Sequence, residues 1–328
     1  MHSFVIAFGL FGATTLAFAN GANDISKSIA TLVGSGESDY KRAVVLVALA
    51  TAVGAALASA WAVKMTLLFT KGMISPQVQI NQLFALSVLA GAIGWVLLST
   101  KIGMPVSTTH AIVGSVSLAG IYTFGFKEIL WSSLTHKVIV PLLVSPIVAF
   151  ALAWLVFQVL YWLCAKRYCV NCHWAHWASA MSSGFARGLN DTPKIAAMGF
   201  LFYYLVDPKA KIAPHWFFLT LAVAMAAGGI LMGFRVTETL AHKVTNMNHL
   251  EGFAANLATS ALVIATAIHG FPVSTTHVSS SAIMGMGVRR GISGVNRKVV
   301  RDILLAWLVT LPTAGAMAVG ACWILAHL

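Results

Sequence analysis

The sequence predicts an all-α polytopic membrane protein with two inverted-topology repeats, broken helices and about 10–12 membrane segments. Three observations support this fold class. Hydrophobic residues make up 59% of the 328 residues and charged residues only 9%, whereas soluble domains carry about 25% charged residues. Two motifs each occur twice with the same spacing. Basic residues are unequally divided between corresponding loops of the two halves.

The duplication is visible in two pairs of motifs. Gly-Met-Pro-Val-Ser-Thr-Thr-His at 103–110 returns as Gly-Phe-Pro-Val-Ser-Thr-Thr-His at 270–277, an offset of 277 − 110 = 167 residues. Phe-Ala-Asn-Gly-Ala-Asn-Asp-Ile-Ser-Lys at 18–27 pairs with Phe-Ala-Arg-Gly-Leu-Asn-Asp-Thr-Pro-Lys at 185–194, where 191 − 24 is again 167. A shared offset indicates an internal duplication. We therefore divide the chain into three parts: a first transmembrane repeat at 1–163, a Cys/His-containing linker at 164–177 and a second transmembrane repeat at 178–328.

Apolar segments follow one another in a similar order in both halves, and most approach the ~20 residues that a helix needs to cross a bilayer. In the first half they are 3–20, 28–34, 43–63, 83–99, 110–124 and 138–163. In the second half they are 195–206, 216–234, 252–268, 272–288 and 302–326. The first segment contains the start of a motif and lacks a convincing cleavage site, so we expect it to be retained and not removed as a signal peptide.

Charged residues stand inside the first pair of motifs, in apolar surroundings. They are Asp24 and Lys27 in the first half and Asp191 and Lys194 in the second. A charge at membrane depth costs several kcal/mol unless it is paired or faces water. Each lysine follows its aspartate by three residues, so the two can pair on one helical face. Such pairs could simply hold helices together, but their occurrence at repeat-related positions favours a substrate pathway.

The second pair of motifs interrupts an apolar segment with a proline. Proline removes a backbone donor and disfavours helix just before itself. The helix that follows presents free N–H groups together with side-chain hydroxyls, those of Ser107, Thr108 and Thr109 and of Ser274, Thr275 and Thr276. This combination predicts an anion site. Ordinary capping by Ser or Thr is compatible with it, and we expect the two breaks to face each other across a central site.

The distribution of basic residues indicates the orientation of the repeats. The loop at 289–301 contains five basic residues, whereas its counterpart at 122–134 contains only Lys127 beside Glu128. Cytoplasmic loops collect Lys and Arg, so the two loops are predicted on opposite faces, with 289–301 cytoplasmic. The same rule accounts for most of the net charge of +12, which therefore does not indicate a nucleic-acid partner.

The duplicated motifs together resemble those of the inorganic phosphate transporter (PiT) family. The resemblance runs through both halves, and the segment 232–240 is also similar. It implies a secondary transporter of inorganic phosphate in the cell membrane, coupled to Na⁺ or H⁺, with no enzymatic activity and no cofactor. It further implies that Asn23, Asp24, Asn190 and Asp191 bind ion and substrate, and that the six Ser and Thr residues of the breaks bind the anion. A homodimer in the lipid bilayer is an additional expectation.

The chain departs from the family pattern at repeat-related positions. Many members carry Asn three residues after the motif Asp, where this chain has Lys27 and Lys194. An asparagine offers a carbonyl oxygen to Na⁺, whereas a lysine offers only donors and a positive charge. We therefore expect transport without Na⁺, with H⁺ as the coupling ion, unless both lysines reach solvent. Arg187 replaces the Asn20 of the first repeat and offers oxyanions a planar fork of donors; a helix-end arginine facing water is the alternative.

Two other functions remain open at this stage. A sulfate or other oxyanion permease of the same fold would use the same donors. The linker residues Cys169, Cys172, His173 and His176 have spacings that can bind zinc, and Cys169-x-x-Cys172-His173 matches a c-type haem attachment pattern. These residues could make a metal- or redox-sensing membrane protein, or they could form an unmetallated linker.

Overall fold

The computed structural model describes residues 2–61, 63–165, 172–206 and 214–327, which are mostly helical. The first repeat contains α1 (His2–Gly34), α2 (Tyr40–Leu57), α3 (Val63–Lys71), α4 (Gln82–Lys101), α5 (Thr108–Phe124), α6 (Trp131–Leu134) and α7 (Val140–Ala165). The second repeat contains α8 (Cys172–Val206), α9 (His215–Met232), α10 (Phe234–Glu238), α11 (His249–His269), α12 (Thr275–Arg289) and α13 (Arg297–Ala326). The predicted all-α polytopic fold with two inverted repeats is confirmed.

Seven helices of the described residues are long and apolar enough to cross a membrane. They are α1, α2, α4, α6 with α7, α9, α11 and α13. Helix α8 is 35 residues long but carries the charged residues of the second motif. Helices α5 and α12 have 17 and 15 residues, fewer than the ~20 that span a bilayer. Together with the seven candidate spans, these three helices form five corresponding pairs: α1 with α8, α2 with α9, α4 with α11, α5 with α12 and α7 with α13.

Corresponding helices of the two repeats begin with the same kind of cap. The side chain of Asn81 accepts the N–H of Phe84 at 2.8 Å where α4 begins. The side chain of Asn248 accepts the N–H of Glu251 at 2.9 Å where α11 begins. Such caps satisfy N–H groups that have no partner within the helix. The duplication therefore extends to the local signals that start each helix.

The predicted breaks lie between two helices that pack against each other, α4 with α5 and α11 with α12. Gly103 and Gly270 follow the first helix of each pair, with φ angles of 78° and 79°. Glycine adopts this left-handed conformation at little cost. Pro105 and Pro272 come two residues later and prevent the helix from resuming. Helices α1 and α8, by contrast, run without interruption through the motifs that carry the aspartates.

The two repeats are interlocked by exchanged contacts between their first two helices. Helix α1 packs against α9, and α2 packs against α8. A Cβ atom on Gly21 would lie 1.9 Å from the carbonyl oxygen of Met225, and one on Gly188 would lie 2.2 Å from that of Thr51. Small residues allow helices in membranes to approach closely. The crossings therefore hold both aspartate motifs at the interface between the repeats.

The segment predicted as a linker, 164–177, is largely helical where the structure describes it. Residues 164–165 end α7, and residues 172–177 begin α8. Cys169 and the side chain of Cys172 lie outside the described residues. His173 and His176 belong to the first turns of α8.

Candidate functional site

Both motif aspartates are buried, and their carboxylates lie side by side. The amide nitrogen of Asn20 donates to Asp24 Oδ2 at 3.1 Å and to Asp191 Oδ2 at 3.2 Å. The hydroxyl of Thr275 donates to the same two oxygens at 3.1 and 3.3 Å. One amide and one hydroxyl therefore join α1, α8 and the start of α12 at a single point.

Lys27 pairs with Asp24, as the spacing predicts, and is only 1% exposed. Its ammonium group also donates to the carbonyl oxygen of Asn23 at 3.0 Å and to the side-chain oxygen of Asn23 at 2.7 Å. The carbonyl oxygen of Val106, in the first break, accepts at 3.4 Å. The ammonium therefore contacts four oxygen atoms, and the alternative in which Lys27 reaches solvent is wrong.

Lys194 occupies an equivalent position in the second repeat and is also 1% exposed. Its ammonium group donates to Asp191 Oδ1 at 3.2 Å, to the hydroxyl of Thr109 at 2.8 Å and to the carbonyl oxygen of Val273 at 2.9 Å. Thr109 belongs to the first repeat and Val273 to the second. Each lysine is thus enclosed by oxygen atoms of its own motif and of the breaks.

The motif asparagines connect the long helices to the breaks. Asn23 donates to the hydroxyl of Thr100 at 2.9 Å and to the carbonyl oxygen of Met104 at 3.0 Å. Asn190 donates to Asp191 Oδ1 at 2.8 Å and to the carbonyl oxygen of Val273 at 3.1 Å. Because these partners accept hydrogen bonds, the orientation of both amides is fixed.

The threonines and serines of the breaks have different contacts. The hydroxyl of Thr108 accepts from Asn20 at 3.0 Å, and that of Thr276 donates to the carbonyl oxygen of Val106 at 2.7 Å. Ser107 and Ser274 are buried N-caps whose hydroxyl oxygens accept from backbone N–H groups, each at 3.2 Å. A hydroxyl that accepts in this way still has its own proton to donate. Capping and anion binding therefore remain compatible at both serines.

A pair of histidines joins the two breaks directly. The rings of His110 and His277 lie 4.4 Å apart between centroids, and His277 also stacks on Trp307 at 3.9 Å. Both histidines are the last residues of the duplicated motif, 167 residues apart. They bring the first turns of α5 and α12 into contact at the boundary of the repeats.

Arg187 adds a third cation to the buried centre, where it is 1% exposed. Its Nη2 atom donates to the hydroxyl of Thr51 at 2.8 Å. Its Nε and Nη1 atoms are buried and have no hydrogen-bond partner among the described residues. The alternative of a helix-end arginine facing water is therefore wrong. With both lysines and both aspartates, the cluster holds three cationic and two anionic side chains, and its unpartnered donors suit an oxyanion.

Several polar residues of the site were not singled out by the sequence motifs. Asn20 was noted only as the repeat counterpart of Arg187, yet its amide connects both aspartates. Thr51 and Thr100 lie on α2 and α4 and belong to no motif. Their only sequence signal is a polar residue within an apolar segment. The histidine pair could have been found from its place in the duplicated motif.

Comparison with known proteins shows which family the chain resembles. The model of the phosphate transporter family matches the chain twice, over residues 20–172 and 166–318. A protein of Mycobacterium tuberculosis (strain H37Rv), named a probable low-affinity inorganic phosphate transporter, is 32% identical over 323 residues, which cover 96% of this chain and 76% of that protein. A protein of the same name from Rhizobium meliloti is 32% identical over 335 residues, which cover 99% of this chain and 96% of that protein.

A solved structure titled "The sodium-dependent phosphate transporter" has the same fold. It matches with a TM-score of 0.88 and 22% identity and covers 99% of this chain and 100% of its own. Likeness at this identity establishes the architecture alone. The family model and the curated relatives extend through both repeats, and the chain therefore belongs to the phosphate transporter family.

Proposed function

We propose that this protein is a secondary transporter that carries inorganic phosphate across the membrane, without Na⁺ and coupled to H⁺. The principal supporting observation is the buried cluster in which Lys27 and Lys194 neutralise Asp24 and Asp191 beside Arg187. Family membership and the names of the relatives support phosphate as the substrate.

Phosphate fits both the donors and the acceptors of this centre. Within the described part of the chain, two nitrogens of Arg187 that bear N–H groups have no partner, and they can donate to an oxyanion. The side-chain oxygens of Asn20 and Asn190 are buried acceptors without a hydrogen-bond partner in the described residues. Hydrogen phosphate carries an O–H group that can donate to such an acceptor, whereas sulfate at neutral pH carries none. The free acceptors therefore favour phosphate over sulfate.

The proposed independence from Na⁺ rests on the surroundings of the two lysines. Carboxylate, amide and backbone oxygens are hard ligands of the kind that suit hard cations. Here the same classes of oxygen surround the Lys27 ammonium, and carboxylate, hydroxyl and backbone oxygens surround that of Lys194. A tethered ammonium in that place supplies the positive charge that a dissolved cation would otherwise bring. The cation site is then already filled by the chain itself.

Coupling to H⁺ is supported by the arrangement of the carboxylates. Asp24 and Asp191 share two donors, so their Oδ2 atoms lie close together. Two neighbouring carboxylates can hold a proton between them, because like charges at short distance oppose full ionisation of both groups. A proton taken up there and released on the other side would move with the anion.

Uptake by proteoliposomes tests this function. Labelled phosphate uptake is measured at fixed pH with Na⁺ replaced by choline, with and without an inward proton gradient, and with sulfate in parallel. We expect phosphate uptake that needs no Na⁺, increases with the proton gradient and exceeds sulfate uptake. Asp24→Asn should abolish it, whereas Asp302→Asn, at an exposed aspartate paired with Arg301, should not. A strong, saturable Na⁺ requirement would contradict the coupling, and faster sulfate uptake would contradict the substrate.

A further inference from the structure

A second polar cluster lies away from the centre and contains Glu37, His173 and His249. Glu37 is in the connection between α1 and α2, His173 is in the first turn of α8, and His249 is the first residue of α11. Glu37 Oε2 lies 2.5 Å from His173 Nδ1 and 2.9 Å from His249 Nδ1. The three potential ligand atoms all lie within 4.8 Å of one another. We propose that these residues bind a transition-metal ion of the Zn²⁺ class.

The chemistry of the three side chains fits such an ion. Imidazole nitrogens and carboxylate oxygens bind Zn²⁺ at about 2.0–2.2 Å. In tetrahedral coordination, bonds of that length place neighbouring ligand atoms about 3.3 Å apart. The separations of the carboxylate oxygen from the two imidazole nitrogens, 2.5 and 2.9 Å, are shorter than this value, and the two imidazoles lie within 4.8 Å of each other. Side-chain rotations that bring these distances to about 3.3 Å would admit the ion. Three protein ligands leave one tetrahedral position open for water or a small anion.

The hydrogen bonds of the cluster are incomplete without an ion. The Glu37 side chain is only 9% exposed, and its ion-pair partners among the described residues are these two imidazoles. His249 Nδ1 lies close to the carboxylate but has no hydrogen-bond partner in the described part of the chain. The ring of His176 is buried edge-on against His249, and its Nδ1 is also without a partner there. A metal ion would use the lone pair that His249 leaves free.

The site differs from the one that the linker sequence predicts. Of the candidates Cys169, Cys172, His173 and His176, the structure brings His173 into the cluster. His176 instead hydrogen-bonds through Nε2 to Thr31 Oγ1 at 3.1 Å, and its ring packs edge-on against that of His249. It is therefore not one of the three ligands. The other two ligands are Glu37, between α1 and α2, and His249, at the start of α11, and both are far from the linker in sequence.

The position of the site explains how an ion could enter it and what it would connect. The His173 side chain is 61% exposed and that of His249 is half-buried, so both can be reached from water. Glu37 belongs to the first repeat, whereas both histidines belong to the second. A bound ion would therefore link the two repeats at one end of the molecule.

Titration of the purified full-length protein with Zn²⁺ in detergent tests the proposal. Affinity is measured by competition with a chromogenic chelator, and thermal unfolding is followed in parallel. We expect one Zn²⁺ per chain and a higher unfolding temperature with Zn²⁺, because an ion that binds only the folded state stabilises it. Glu37→Gln and His249→Ala should each weaken binding about tenfold or more. His242→Ala is the matched control, since His242 faces Glu238 at 3.9 Å and the two belong to no group of three potential ligands among the described residues.

A Cys169→Ser, Cys172→Ser double variant distinguishes this site from a linker site. The proposal expects that variant to bind Zn²⁺ like the unmodified protein. Unfolding temperatures without Zn²⁺ show whether each variant is folded. Unchanged binding by folded Glu37→Gln and His249→Ala, or loss of binding only in the cysteine variant, would overturn the proposal.

Discussion

Arg187 stands where the first repeat has Asn20, and this difference makes the buried centre asymmetric. Asn20 joins the two carboxylates, whereas Arg187 contacts Thr51 and has two nitrogens without partners among the residues that the structure describes. Hydrogen bonds to a charged group contribute about 1.5–3 kcal/mol each. We therefore expect Arg187→Gln to weaken phosphate affinity by roughly 10- to 150-fold, measured as the concentration for half-maximal uptake. Arg297→Gln, at an exposed arginine, is the control; equal affinity in both variants would exclude a direct role for Arg187.

Substitution of Lys27 and Lys194 tests the proposal that their ammonium groups stand in place of a dissolved cation. Lys27→Asn with Lys194→Asn removes both ammonium groups and restores neutral oxygen-bearing side chains. Breaking one buried pair costs about 3–5 kcal/mol, because a charge is left uncompensated. We expect the double variant to unfold at a lower temperature without Na⁺ than with it, and to lose uptake in choline medium. If the double variant took up phosphate in choline medium at the rate of the unmodified protein, the proposal that the lysines stand in place of a cation would be wrong.

The charged pairs of the centre could be predicted from sequence, whereas the contact of Glu37 with the two histidines could not, for one physical reason. Asp24 with Lys27 and Asp191 with Lys194 are neighbours on one helical face, so spacing alone places them together. The contact between Glu37 and His249 depends on how α1, α2 and α11 pack, which no local pattern encodes. Spacing therefore finds pairs within one helix, whereas contacts between distant segments appear only once the helices are packed.

At the scale of single helices, the starts of α5 and α12 combine a cap with the predicted anion site. Ser107→Ala or Ser274→Ala removes a cap, which costs about 1 kcal/mol of stability, and also removes a hydroxyl from the site. We expect phosphate binding to weaken by roughly 1–3 kcal/mol in each variant. Asn296→Ala is the control, because Asn296 caps α13 away from the duplicated breaks and its loss should lower stability alone. Equal uptake in all three variants would count against contact between the serines and the anion.

The crossings of α1 with α9 and of α2 with α8 depend on glycine. An alanine at Gly21 or Gly188 would place its Cβ 1.9 or 2.2 Å from a backbone oxygen of the facing helix. Overpacking of this kind costs about 1–3 kcal/mol. We expect Gly21→Ala and Gly188→Ala to lower the unfolding temperature and reduce uptake. Gly320→Ala, where the added Cβ meets no atom within 4 Å, should be neutral or stabilising; the same loss there would contradict the packing argument.

The register of these crossings shows where the duplication is imperfect. The equivalent contacts involve Thr51 and Met225, which differ by 225 − 51 = 174 residues and not by 167. The connection between α1 and α2 is 35–39, whereas that between α8 and α9 is 207–214. The shift is compensated before α4 and α11, whose caps again differ by 248 − 81 = 167 residues. A single offset therefore predicts the motifs but misaligns the second helix of each repeat.

At the scale of the whole molecule, each repeat completes the other. Helix α13 packs against α4 and α5 of the first repeat, and α7 packs against α11 and α12 of the second. Together with the crossings of the first two helices, these contacts place the polar centre between the repeats. Lys194 reaches Thr109 across this boundary, and Thr276 reaches Val106. Relative movement of the repeats would therefore change the contacts of the proposed anion site directly.

The two ends of the molecule differ in charge, which predicts its orientation. Arg289 pairs with Glu251 at 2.7 Å, and Glu251 lies two residues beyond His249. The loop at 289–301 and the proposed metal site therefore lie at the same end. Orientation follows the number of Lys and Arg residues near the helix ends and not the net charge, so the pairing with Glu251 does not weaken the prediction. We expect both features to face the cytoplasm.

Labelling of single cysteines tests this orientation. The native cysteines are replaced by serine, and Ser293→Cys or Lys127→Cys is introduced at exposed loop positions that follow α12 and α5. Inverted repeats place these loops on opposite faces, because α5 and α12 are corresponding helices. A membrane-impermeant maleimide added to intact cells should label Lys127→Cys at once and Ser293→Cys only after permeabilisation. Labelling of both from one side would contradict the inversion, and the reverse pattern would place the basic loop and the metal site outside.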